Sequence, residues 1–127
     1  MRAELRHLDS TDAPDGMDSF RPDNPRDFTL LVTAAIGVAG QEGADNFDFV
    51  VVGPDWFGNN PPGNGFRWAR HFIVLHAWDP KVVRRAIEDL CHRATGATWE
   101  EVASKLSRFG HWEFEDDDQR PWAPDLY

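Results

Sequence analysis

The stretch from Thr98 to Asp118, TWEEVASKLSRFGHWEFEDDD, restricts the fold more than any other part of the chain. It holds a helix with its own start signal, a stop, and a run that alternates. Thr98 stands three residues before Glu101, the spacing of a capping box, in which a hydroxyl and a carboxylate take up free N–H groups of the first turn. Trp99, Val102, Ala103, Leu106 and Phe109 recur at helical spacing on one face. Gly110 is expected to end the helix in the left-handed conformation that a residue without Cβ adopts freely. From His111 to Glu115 the period changes to two, with Trp112 and Phe114 on one side and His111, Glu113 and Glu115 on the other. That pattern predicts a strand, ended by the like charges of Asp116, Asp117 and Asp118.

Upstream, Asp79-Pro80 reads as an N-cap with proline at the first helical position. Val82, Val83, Ala86, Ile87, Leu90, Cys91 and Ala94 form the apolar stripe of that helix. Its other face offers Arg84–Glu88 and Arg85–Asp89 pairs, and Gly96 ends it. The short link to Thr98 predicts a helical hairpin. Earlier strands are expected at 1–9, 28–38 and 47–52, the last two joined as a hairpin around Gly40 and Gly43. A further strand is expected over 66–78, apolar on both faces and therefore central. Prolines and glycines make 12–27 a loop, pinned to the core by Phe20, and make 54–65 (PDWFGNNPPGNG) irregular. Strands, then two helices, then a last strand indicate an α+β fold. The expectation is an antiparallel sheet of four or five strands with the helical hairpin on one face. The length of 127 residues fits one domain, expected over 1–118, with an extended tail over 119–127.

The net charge of −9 is unevenly spread. Residues 28–66 carry four acids and no base, and 111–127 carry six acids and one base. Only 67–110 is basic, with eight bases against five acids. Phosphate contact needs a basic footprint, so nucleic acid is not the expected direct partner. A cationic protein is the better electrostatic match. The one cysteine, Cys91, cannot form an internal disulfide and suits a reducing compartment. The first residues lack the apolar core of a secretory signal, and no apolar run approaches the ~20 residues that span a bilayer. A cytoplasmic protein without membrane contact is expected.

The most catalytic-looking set is His111, Glu113 and Glu115, which on one strand face could hold a metal or perform acid–base work. No second ligand cluster accompanies it, and a solvated strand face explains it as well. Asp116 to Asp118 lack the spaced loop of a calcium site. His71 and His76 lie five apart on the expected strand and point to opposite faces. No nucleophile motif, P-loop or dinucleotide fingerprint is present. Trp56 and Phe57 either plug the core or anchor an interface. The residues therefore predict a binding module with no cofactor, no metal and no catalytic group.

W-E-E-V-A-x-K-L-S-R-x-G-H-W-E-F-E-D, from Trp99 to Asp116, resembles the C-terminal signature of the immunity-protein-8 family, small bacterial proteins encoded beside polymorphic toxins. MRAELRHLDS resembles that family's opening strand. MDSFRPDNPRDFTLLVTAAIG and GQEGADNFDFVVVGPDWF resemble its next two segments, so the likeness covers nearly all of 1–116. Residues 58–66 and those after Asp118 depart from it. The resemblance implies a cytoplasmic protein that binds and neutralises a cognate toxin domain, as a monomer or weak homodimer. On that footing the acidic groups would meet basic groups that the toxin uses on its own substrate, a nuclease being the matching case. The expected contact residues are Asp45, Asp48, Asp55, Trp56, Glu113, Glu115, Asp116 and Asp117, with Trp99 and Trp112 assigned to the core. The alternatives are a small metal-dependent enzyme built on His111, Glu113 and Glu115, and an adaptor subunit with no toxin partner.

Overall fold

The computed structural model describes residues 1–115. The elements run β1 (Ala3–Asp9), β2 (Thr29–Val38), β3 (Asp45–Val52), α1 (Pro54–Asn59), β4 (Phe72–Val74), α2 (Pro80–Arg93), α3 (Trp99–Leu106) and β5 (His111–Trp112). The fold is α+β. Its five-stranded sheet has the order β1-β2-β3-β4, and β5 also pairs with β3.

The β2–β3 hairpin sets both faces of the sheet. Gly40 and Gly43 take φ of 82° and 95° in its turn, where a side chain would be strained. The register runs from Ile36↔Asp45 to Thr29↔Val52. It places Leu30, Val32, Ala34, Ile36, Phe47, Phe49 and Val51 on one face, all buried. A bulge between Leu5 and His7 keeps Ala3, Leu5 and Leu8 of β1 on that same side. Val83, Ile87 and Cys91 of α2, with Val102, Ala103 and Leu106 of α3, close this face into one core.

Both helix starts are those the residues dictate. The Asp79 carboxylate accepts from the Lys81 N–H at 2.9 Å, and the Thr98 hydroxyl accepts from the Glu101 N–H at 3.2 Å. Glu101 reaches back to the Ala97 N–H at 2.9 Å. Phe20 does pin the long loop: its ring meets Trp78 edge-on at 5.0 Å, and its carbonyl accepts from the Trp78 indole at 3.0 Å.

Several expectations are corrected. The sheet is mixed, because β4 pairs with β3 in parallel, from Val50↔Phe72 to Val52↔Val74. Pro54 opens α1 directly after β3, which precludes a tight antiparallel return. That helix also occupies part of a segment expected to be irregular. β4 holds only three residues of the expected 66–78 strand, since β5 takes the other half of the same β3 edge through Phe47↔Trp112 and Asp48↔His111. α2 packs chiefly on β1.

The end of α3 also differs. Gly110 is not left-handed. It is small because a Cβ there would lie 2.5 Å from the Phe49 ring. Phe109 leaves the helical stripe and is exposed. β5 stops after Trp112, two residues short of the start of β3, because the chain turns there. The Glu113 N–H still donates to the Asn46 carbonyl at 3.0 Å, and the Glu115 N–H then closes a turn onto the Trp112 carbonyl at 2.9 Å. On α2, Asp89 pairs with Arg93 at 3.2 Å in place of Arg85.

Candidate partner-binding surface

Most of the acidic residues expected to meet a partner are engaged within the fold. Asp45 starts β3 on the core side, where its Oδ2 accepts from the Trp99 indole at 2.7 Å and the Trp112 indole at 3.1 Å. Phe47 stacks on Trp112 and meets Trp99 edge-on, each with ring centres 6.4 Å apart. Asp45 is thus a bracket between α3 and β5, and both tryptophans sit at the core margin as expected. Asp55 pairs with Arg26 at 3.3 Å. Glu113 accepts from the Asn46 N–H at 2.8 Å. Glu115 pairs with Arg70 at 2.5 Å and lies 3.6 Å from His111. Trp56 carries the Arg67 guanidinium 4.6 Å over its ring and meets Phe57 edge-on at 5.6 Å. Asp116 and Asp117 lie outside the described residues.

The geometry therefore does not gather His111, Glu113 and Glu115 on one strand face. Glu113 turns to the backbone of β3, and Glu115 lies beyond a turn. Among the described residues no group of three His, Cys, Asp or Glu side chains could hold a metal ion. Nor, among them, is any helix long and apolar enough to cross a membrane.

His71 and His76 do not share a strand, since β4 lies between them and holds neither. His71 instead meets His111 where β4 and β5 abut along β3, with ring centres 5.6 Å apart. It adopts φ of 67°, uncommon for a residue with a side chain, and its carbonyl accepts from the Val50 N–H at 2.9 Å. Burial, then the positive charge of Arg70 and the neighbouring His111, lowers its pKa to about 4 against a hydrogen bond with the Ser107 backbone. The imidazole is neutral at physiological pH.

The face of the sheet opposite the core helices has a different character. Strand alternation places Asp9, Thr33, Asp48 and His111 in one row across four strands. The Thr33 hydroxyl donates to Asp48 at 2.7 Å. The next row along that face is apolar, running Leu31, Val50, Phe72, and the one after it pairs Val52 with Val74. Phe57 of α1 stacks on Phe72 at 5.9 Å, and Val50 and Val52 are buried, while Leu31 and Val74 beside them stay 39% and 56% exposed.

Beside α1 lie two aromatics that sequence reasoning assigned to a strand. Phe66 and Trp68 are 59% and 64% exposed and touch edge-on at 6.4 Å. Between them Arg67 stacks on Trp56 and donates to the Asn60 carbonyl at 2.9 Å. The signal that could have found them is aromatic–cation alternation in FRWAR directly after a proline–glycine loop. Separately, a cleft of about 460 Å³ lies between β4, α2 and the end of α3, with Arg70, Arg93 and Arg108 at its rim and Phe72 and Phe109 in its walls.

Fold and surface together define a small α+β protein with one sheet face closed by α2 and α3 and the other carrying exposed Leu31 and Val74 beside Asp9 and Asp48. The chain belongs to the Immunity protein 8 family, whose sequence profile matches residues 3–117. No curated protein and no solved structure matches it.

Proposed function

We propose that this protein is a toxin-neutralising immunity protein: in the cytoplasm it binds a cognate toxin domain and occludes that domain's working surface, catalysing no reaction itself. The observation that carries the reading is membership of the Immunity protein 8 family across nearly the whole chain. The net charge of −9 suits a cationic toxin, such as a nuclease, whose own basic groups hold its substrate. Asp48, which accepts from the Thr33 hydroxyl and forms no ion pair among the described residues, is the expected contact residue best placed for such pairing. Asp45, Asp55, Glu113 and Glu115 have internal partners, and for Asp45 and Glu115 those partners explain their positions without a toxin.

Co-expression tests the reading. The toxin domain encoded by the adjacent gene should arrest growth alone, and this chain should restore growth and co-purify with it. Restored growth without a stable complex would show that protection does not arise from occlusion. An adjacent gene with no toxic product would remove the immunity reading.

A further inference from the structure

We infer that the toxin is held by the open face of the sheet, with Leu31 and Val74 at the centre of the contact, Phe66 and Trp68 gripping at one margin, and Asp9 and Asp48 meeting cationic groups at the other. This rests on the immunity reading and assigns the surface and the partner chemistry within it. The occupant is a cationic protein surface.

Three observations converge. First, the opposite face is closed by α2 and α3, and the second edge of β3 is shared by β4 and β5. Extending the sheet through that edge is therefore blocked, and besides the outer edges of β1 and β4 the sheet offers its open face, where Leu31 and Val74 are exposed beside the buried Val50 and Val52. Second, Phe66 and Trp68 are held outward. Arg67 between them stacks on Trp56 and bonds to Asn60, while Trp56 connects through Phe57 to Phe72 on the open face. Large apolar side chains fixed in water recover their solvation cost only when a partner covers them, and tryptophan is prominent among residues that dominate binding. Third, Asp9 and Asp48 stand in one cross-strand row beside Leu31, so the charge this face presents next to its apolar residues is negative. Two copies of the face would bring like charges together, whereas a lysine- and arginine-rich surface is complementary.

Calorimetric titration of the full chain against the adjacent gene's toxin domain tests this, at low and high salt. The variants are Phe66→Ala/Trp68→Ala, Leu31→Lys and Asp9→Asn/Asp48→Asn. Glu88→Gln/Glu100→Gln, which removes the same charge from the helical side, is the control. Circular dichroism and urea midpoints check that each variant folds. The aromatic pair should weaken binding by about 100-fold, as loss of two aromatic anchors does. Leu31→Lys should weaken it at least about 10-fold. The aspartate pair should weaken it about 10-fold at low salt and much less at high salt, with the control unchanged. Folded variants that bind within about 3-fold of wild type would overturn the assignment while leaving the immunity reading intact. So would a wild-type chain that self-associates in light scattering and becomes monomeric on Leu31→Lys. Absence of wild-type binding would overturn the immunity reading itself, and this inference with it.

Discussion

Asp45→Ala should destabilise the fold by about 3 kcal/mol, because it leaves two indole N–H groups without their acceptor. Each bond, at 2.7 and 3.1 Å, runs to a carboxylate, where removal costs about 1.5–3 kcal/mol. The residue is half-buried, so the lower end applies to each. Asp45→Asn keeps an acceptor oxygen and should cost about 1 kcal/mol, the difference between charged and neutral bonds. Set against a total of about 5–15 kcal/mol for a domain, the alanine variant loses a substantial fraction. Guanidinium unfolding followed by circular dichroism reads the loss in every variant of the series. Trp99→Phe and Trp112→Phe complete a double-mutant cycle: each should be costly with Asp45 present and nearly neutral in the alanine background. An Asp45→Ala cost below about 0.5 kcal/mol, the scatter of ordinary surface changes, would refute the bracket. So would a Trp99→Phe cost that does not depend on Asp45.

Three other outcomes follow from the same packing. Gly110→Ala should cost about 1–3 kcal/mol, the range for overpacking, because its Cβ would meet the Phe49 ring; Phe49→Leu in the same chain should relieve part of that loss in urea melts. Stability should fall with acid: His71 has a folded pKa of about 4 and a reference value of 6.5, so its contribution is complete above 6.5 and is lost as the pH drops toward 4. The loss amounts to about 3 kcal/mol, and His71→Gln should flatten that part of the pH–stability curve. Cys91 is buried, and burial followed by the nearby Glu88 charge pushes its thiol up to about 12, so a disulfide reagent at pH 8 should label it only at the rate of unfolding.

The helix caps, the hairpin and the buried stripes were legible because each is a local pattern with a local cause. Asp79-Pro80 and Thr98-x-x-Glu101 carry their own hydrogen bonds, and the β2 alternation has only one way to bury its apolar side. The direction of β4 was not legible, since nothing near Phe72 records that α1 and a long loop intervene before the chain returns to β3. The length of β5 was hidden too: HWEFE alternates throughout, but the Glu115 N–H turns back onto the Trp112 carbonyl before the pairing reaches the start of β3. Gly110 was assigned the right importance for the wrong cause, a close approach rather than a left-handed turn. At the candidate surface, Asp45 and Glu115 looked like solvent-facing acids because sequence position does not reveal Trp99, Trp112 or Arg70. Phe66 and Trp68 were overlooked because alternation made their segment resemble a strand.

The division of one β3 edge between β4 and β5 bears on how the molecule is made. Residues as far apart in the chain as Phe47 and Trp112 must meet before that edge is sealed. During synthesis the first half of β3 therefore waits with open backbone groups until almost the last described residue has emerged. Acidic Asp45 and Asp48 in that half guard it meanwhile, since charge on an unpaired strand discourages a neighbouring chain from joining it.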